Sequence, residues 1–169
     1  PSAIAGIIAV FLIYLVSNEL FKERKHGIFA SLLLAISPWH IHFSRGAWEV
    51  NVSLTLTLAG IYFFIKSLEK QKLLIVSFAF FALTLLTYQG AKLSTLLVLV
   101  VLLIIYYKKL FRFERKVLMQ SAIVALLIAS PIFFSFFQAE TGRLNVFSVF
   151  SYPRPKEYLE AFLREGNEN

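Results

Sequence analysis

Arg45 and Glu49 stand four residues apart in SPWHIHFSRGAWEVN, a stretch from Ser37 to Asn51 that also holds Trp39, His40, His42 and Trp48. A guanidinium holds an anionic group through charge-assisted, often bidentate hydrogen bonds, and a neighbouring carboxylate can orient it or meet a second polar group. If a helix begins near Ser44, this spacing puts both side chains on one face, where they either pair with each other or serve a ligand. Tyr88 and Lys92 repeat the spacing in TYQGAKLS. There a hydroxyl and an ammonium converge on one point, a combination suited to phosphate, although a lone lysine could also snorkel to a membrane interface. A third cluster, Arg143, Asn145 and Ser148, lies early in the polar tail that starts at Gln138.

His40 and His42 are two apart, which points them to one side in an extended segment and apart on a helix. No third ligand follows at a standard spacing, so interfacial hydrogen bonding accounts for them better than metal binding, and no metal site is expected. The chain has no cysteine, which excludes disulfides and thiolate sites. It also lacks a Walker loop, a dinucleotide fingerprint, a nucleophile elbow and a His-Glu-x-x-His pattern, and nothing in it names a cofactor. Asn51-Val52-Ser53 fits the N-glycosylation pattern but runs straight into a helical segment, whereas modification needs an accessible loop.

The elements that must position these residues are of membrane type. The 169 residues are 58% hydrophobic and only 16% charged, with 18 Phe; mean hydropathy is +0.71. Water-soluble surfaces need more charge. Ala3 to Val16, Leu73 to Leu86, Leu93 to Tyr107 and Val117 to Phe137 carry no acidic or basic side chain. Aromatic and hydroxyl residues at their ends extend such runs toward the ~20 residues that a bilayer requires. The sequence therefore predicts an all-α, polytopic membrane helical bundle of about six transmembrane helices, near 3–18, 27–39, 49–65, 72–88, 92–107 and 117–137. The second span is the weakest, because Pro38 removes a backbone donor and disfavours helix at Ser37, so a kink or a stop is expected there.

Region 1–137 is read as the membrane part and 138–169 as an outer-face loop followed by an amphipathic helix. Pro155 suits a first helical turn, and Tyr158, Leu159, Phe162 and Leu163 fall on one stripe of Lys156 to Arg164. Pro1, at the edge of an apolar segment with no basic leader, is what a piece of a longer chain shows.

Eleven of the seventeen basic residues fall in the loops near 22–25, 66–72 and 108–116, and six in the alternate set. The first set is expected in the cytoplasm. The +7 net charge invites nucleic acid as a partner, but basic residues in short loops beside apolar spans answer to topology and to anionic membrane lipids instead.

Taken in order, ELFKERKHGIFASLLLAISPWHIHFSRGAWEVN, TYQGAKL and TGRLNVFSVF resemble the GT-C integral membrane glycosyltransferases. They are most similar to the bacterial and archaeal branch of glycosyltransferase family 39, akin to dolichyl-phosphate-mannose protein mannosyltransferases and aminoarabinose transferases. That branch shows a Ser-Pro turn, then Ser-Arg and an acidic residue, matched by Ser37-Pro38, Ser44-Arg45 and Glu49. Its Tyr-x-x-Ala-Arg turn is matched by Tyr88, Ala91 and Lys92, with lysine in place of arginine, so the charge stays but the bidentate fork is lost.

The resemblance implies transfer of a sugar from a polyprenyl-phosphate carrier to an acceptor, not identified by the sequence, on the outer side of the cell membrane. Arg45, Glu49, Tyr88, Lys92 and Arg143 would serve the donor. The family's catalytic carboxylate lies in an earlier outer loop, so the resemblance implies that these residues alone are inactive. The competing reading is a polytopic transporter or lipid flippase subunit. Transporters place polar or broken-helix sites near the bilayer midplane, whereas here the polar groups collect at one face.

Overall fold

The computed structural model describes residues 2–46, 48–88 and 90–138, with side chains described as far as residue 131. Arg143 and the segment from Lys156 to Arg164 lie outside the described residues. Every described element is helical: α1 (Ser2–Phe21), α2 (Arg24–Ile36), α3 (Pro38–Arg45), α4 (Glu49–Ser67), α5 (Leu73–Thr87), α6 (Ala91–Leu110) and α7 (Arg115–Gln138). The chain divides into two units, 1–131 and 132–169, and the first contains α1 to α6 with most of α7.

Among the described residues, α1, α4 and α6 are long and apolar enough to cross a membrane. The pair α2 and α3 makes a fourth if it counts as one broken span, bent by 59°. With 15 residues, α5 rises only ~22 Å, less than the ~30 Å hydrocarbon core. Six spans are thus expected from the sequence, and among the described residues three helices, or four with the bent pair, have the length and apolarity of one.

The expected span over 27–39 is broken at Pro38, where the sequence made it weakest, and starts and ends elsewhere than expected. Ser37 is extended at φ −62°, ψ 121°, and Pro38 opens a new helix as its first residue. Proline cannot accept a place in the middle of α2, but its fixed φ and missing N–H suit a first turn. The chain resumes at once, with the Ile41 amide donating to the Ser37 carbonyl at 3.0 Å.

The packing is that of helices in lipid, where small residues let backbones approach and bulky side chains face outward. On α1 the buried positions include Ala5, Gly6, Ala9 and Ser17, while Ile4, Ile7 and Phe11 are exposed. On α4, which packs against both α1 and α5, Ser53, Ala59 and Gly60 are buried. Gly60 abuts the Phe81 ring of α5, and Ser77 Oγ donates to the Gly60 carbonyl at 2.8 Å. Larger side chains fill one cluster: Phe64, Leu74, Phe81, Leu102, Leu110, Phe113 and Val117.

The turns after α1, α4 and α6 meet at one end. Lys66 Nζ lies 2.6 Å from Glu19, and Lys22 Nζ lies 2.8 Å from Glu19 and 3.7 Å from Glu69. Between the other two turns, the Glu114 amide donates to Gln71 Oε1 at 3.0 Å. The hydrogen bond that Lys22 donates to Glu19 holds its ammonium above the usual lysine value, and the charges of Glu19 and Glu69 add to it.

Candidate functional site

The opposite end carries the polar stretch around α3 that the sequence singled out. There α3 lies against α1, α2 and α4, and its two faces differ in chemistry. His40 faces inward: it is buried, with Nε2 3.2 Å from the Gly6 carbonyl. A carbonyl only accepts, so that ring nitrogen carries the proton and donates. Outward, Pro38, Ile41, His42, Arg45 and Gly46 line an open depression. The two histidines therefore point apart, as their spacing on a helix requires.

Three helices are tied at this end by Asn51. Its Nδ2 donates to the Ser2 carbonyl at 2.8 Å and to Ser44 Oγ at 3.1 Å, joining α4 to α1 and to α3. Ser44 Oγ donates in turn to the His40 carbonyl at 2.7 Å, and Ser2 Oγ to the Phe43 carbonyl at 2.9 Å. Four residues on, Thr55 Oγ1 lies 2.8 Å from the Ala5 carbonyl. Asn51 is 1% exposed, so its amide is engaged inside the bundle and closed to glycosylation.

Gly6 permits this approach, since a Cβ there would collide with Ser44 Oγ and lie 3.1 Å from Asn51 Nδ2. Gly6→Ala is therefore expected to cost about 1 to 3 kcal/mol by overpacking, measured as a loss of thermal or denaturant stability in detergent. Unchanged stability would mean that α3 stands off from α1.

An aromatic cluster adjoins the lining through His42. Phe43 stacks on Trp39 at 6.0 Å and meets Trp48 edge-on at 6.3 Å and His42 at 5.5 Å. Trp39 and Trp48 are 73% and 54% exposed, as suits indoles anchoring helix ends at the headgroup level.

The helix that would have carried both Arg45 and Glu49 is interrupted between them. Arg45 closes α3, Gly46 turns the chain, and α4 begins only at Glu49. Each charge complements its own helix end, the cation at a C-terminus and the carboxylate at an N-terminus. Both are exposed, and among the described residues they form no ion pair with each other. Tyr88 caps α5 in an extended conformation, 43% exposed. Lys92 lies in the first turn of α6, half-buried and already engaged with other groups.

The structure does not make α3 and α6 neighbours, since no Cα of one comes within 8 Å of the other. Among the described residues no three His, Asp or Glu side chains gather as metal ligands. What sequence reasoning missed was the tie through Asn51. A signal existed: Asn51 and Thr55 form an i, i+4 polar pair inside an apolar helix, where such groups seek partners on adjacent helices.

Residues 1–134 match the dolichyl-phosphate-mannose-protein mannosyltransferase family. The chain belongs to that family. No curated protein and no solved structure matches it. Members of the family are membrane glycosyltransferases that generally use a polyprenyl-phosphate-linked sugar donor. Together with the apolar helices, this makes the chain an integral membrane protein.

Proposed function

We propose that the protein acts in transferring a sugar from a polyprenyl-phosphate donor to an acceptor on the outer face of the cell membrane, as part of a multi-pass bundle of about six spans. The observation that carries this reading is Arg45, an exposed cation without an ion-pair partner among the described residues, which lines a depression together with His42, whose ring meets the aromatic cluster of Trp39, Phe43 and Trp48. A donor with an apolar tail and an anionic head needs that pairing of aromatic and cationic groups at headgroup depth.

In this reading Arg45 takes the phosphate. Glu49 orients the guanidinium or meets a sugar hydroxyl, with Tyr88, Lys92 and Arg143 as further donor contacts. During transfer the bond between the anomeric carbon and the phosphate oxygen breaks, and a bond to the acceptor oxygen forms. The acceptor proton passes to a carboxylate supplied from outside these residues, and the departing phosphate gains negative charge that Arg45 offsets.

The test is transfer of mannose from polyprenyl-phosphate mannose by membranes containing the full-length chain. Transfer that continues undiminished without this donor would overturn the reading. Orientation is tested separately, because the basic end with Lys22 and Lys66 is assigned to the cytoplasm. A cysteine introduced at Gln89 should react with an impermeant reagent added outside, and one at Lys70 should not. The reverse pattern would invert the topology.

A further inference from the structure

Arg45 is fixed in space only as well as α3 is. That helix has eight residues, too few to be stable alone, so something other than its own backbone bonds must hold it. Its N-terminus is tied through Pro38 to α2, from which it departs at 59°. Near its C-terminus two side chains face inward: Ser44, the residue before Arg45, and His40 one turn earlier. His40 reaches the Gly6 carbonyl, whereas Ser44 Oγ receives the Asn51 amide, which also binds the Ser2 carbonyl.

We propose that Asn51 is a positioning residue: through Ser44 it locks the end of α3 onto α1 and α4 and so presets Arg45 for the donor phosphate. This rests on the donor-site reading of Arg45. Three features make Asn51 the centre of the lock. It is 1% exposed and two residues into the helix that Glu49 opens, so its own backbone is anchored. Its two amide protons go to two different helices, so losing the side chain unties both at once. Its Oδ1 and the His40 Nδ1 are buried without a hydrogen-bond partner among the described residues, so the two amide protons are the side chain's only described polar ties. Asn51 touches no part of the depression and acts on a phosphate only through α3.

The test uses the full-length chain in detergent. The 169 residues contain no cysteine, which helps site-directed spin labelling. Labels at Ile41→Cys on α3 and Leu20→Cys at the far end of α1 should stand roughly 20 to 30 Å apart, given a rise of about 1.5 Å per residue. The parent should give one narrow distance distribution, and Asn51→Leu, which removes both donors at similar volume, a broadened or displaced one. Asn51→Leu should also weaken binding of polyprenyl phosphate roughly two- to tenfold, the worth of about one net hydrogen bond. Added to Arg45→Ala, it should weaken binding no further, because it acts through that residue.

An unchanged distance distribution, or losses that add, would overturn the lock. A broadened distribution in Asn51→Leu together with unaltered binding in Arg45→Ala would leave the lock standing and sink the donor-site reading instead. If Asn51→Leu does not accumulate folded, Ser44→Ala removes the hydroxyl that accepts from Asn51, together with its local bond to the His40 carbonyl, leaves the Asn51 bond to Ser2 in place, and serves for all three measurements.

Discussion

Arg45→Ala should weaken binding of polyprenyl phosphate to the full-length chain by roughly one to two decades. A charge-assisted hydrogen bond between guanidinium and phosphate contributes about 1.5 to 3 kcal/mol, and no other described cation lines the depression to take over. The fold should not suffer, because Arg45 is exposed and makes no ion pair among the described residues. Such surface substitutions stay within about 0.5 kcal/mol. Arg45→Lys should recover part of the affinity, since it keeps the charge and loses the planar fork. Binding in micelles by calorimetry checks both. Equal affinity for Arg45→Ala and the parent would remove Arg45 from the site.

Several helix ends were legible in the sequence, because each of those rests on a local rule. Uncharged runs marked α5, α6 and α7 within a few residues, and Pro38 marked the end of α2. The helix that Pro38 opens was not legible. Eight residues rich in His and Trp carry little helical periodicity, and α3 is held by bonds to Gly6 and Asn51, distant in sequence. The Arg45 and Glu49 pair misled for a related reason. Four-residue spacing implies a shared face only along an unbroken helix, and Gly46 breaks it.

The site divides the same way. Trp39, His42 and Arg45 were legible as a polar and aromatic rim because residue type alone suggests headgroup depth. Which residues hold that rim in place depends on α1 and α4 crossing closely, and Gly6 is informative only once Ser44 is known to oppose it. Lys92 is the converse. Its type and spacing suggested phosphate, but its distance from Arg45 is a tertiary quantity, and the structure shows only that their helices are not in contact.

Phe11→Asp should block membrane insertion of α1. Phe11 stands near the middle of Ser2–Phe21 and is 59% exposed, one of a row with Ile4, Ile7 and Ile8. Were that face in water, exchanging an exposed phenyl for a carboxylate would leave stability nearly unchanged, because no core contact is lost. Facing lipid, the same change puts a charge near the centre of a span, where aspartate costs about 2.5 to 3.5 kcal/mol and phenylalanine contributes a few tenths of a kcal/mol in favour. A change near 3 kcal/mol moves an insertion equilibrium by more than two decades. Ser17→Asp gives no such contrast, since Ser17 is buried and a charge there is penalised in either setting. The measurement is the inserted fraction of α1 in microsomes, read from glycosylation tags on its two flanks. Equal insertion of Phe11→Asp and the parent would place this face of α1 against water or another part of the protein and overturn its assignment to lipid.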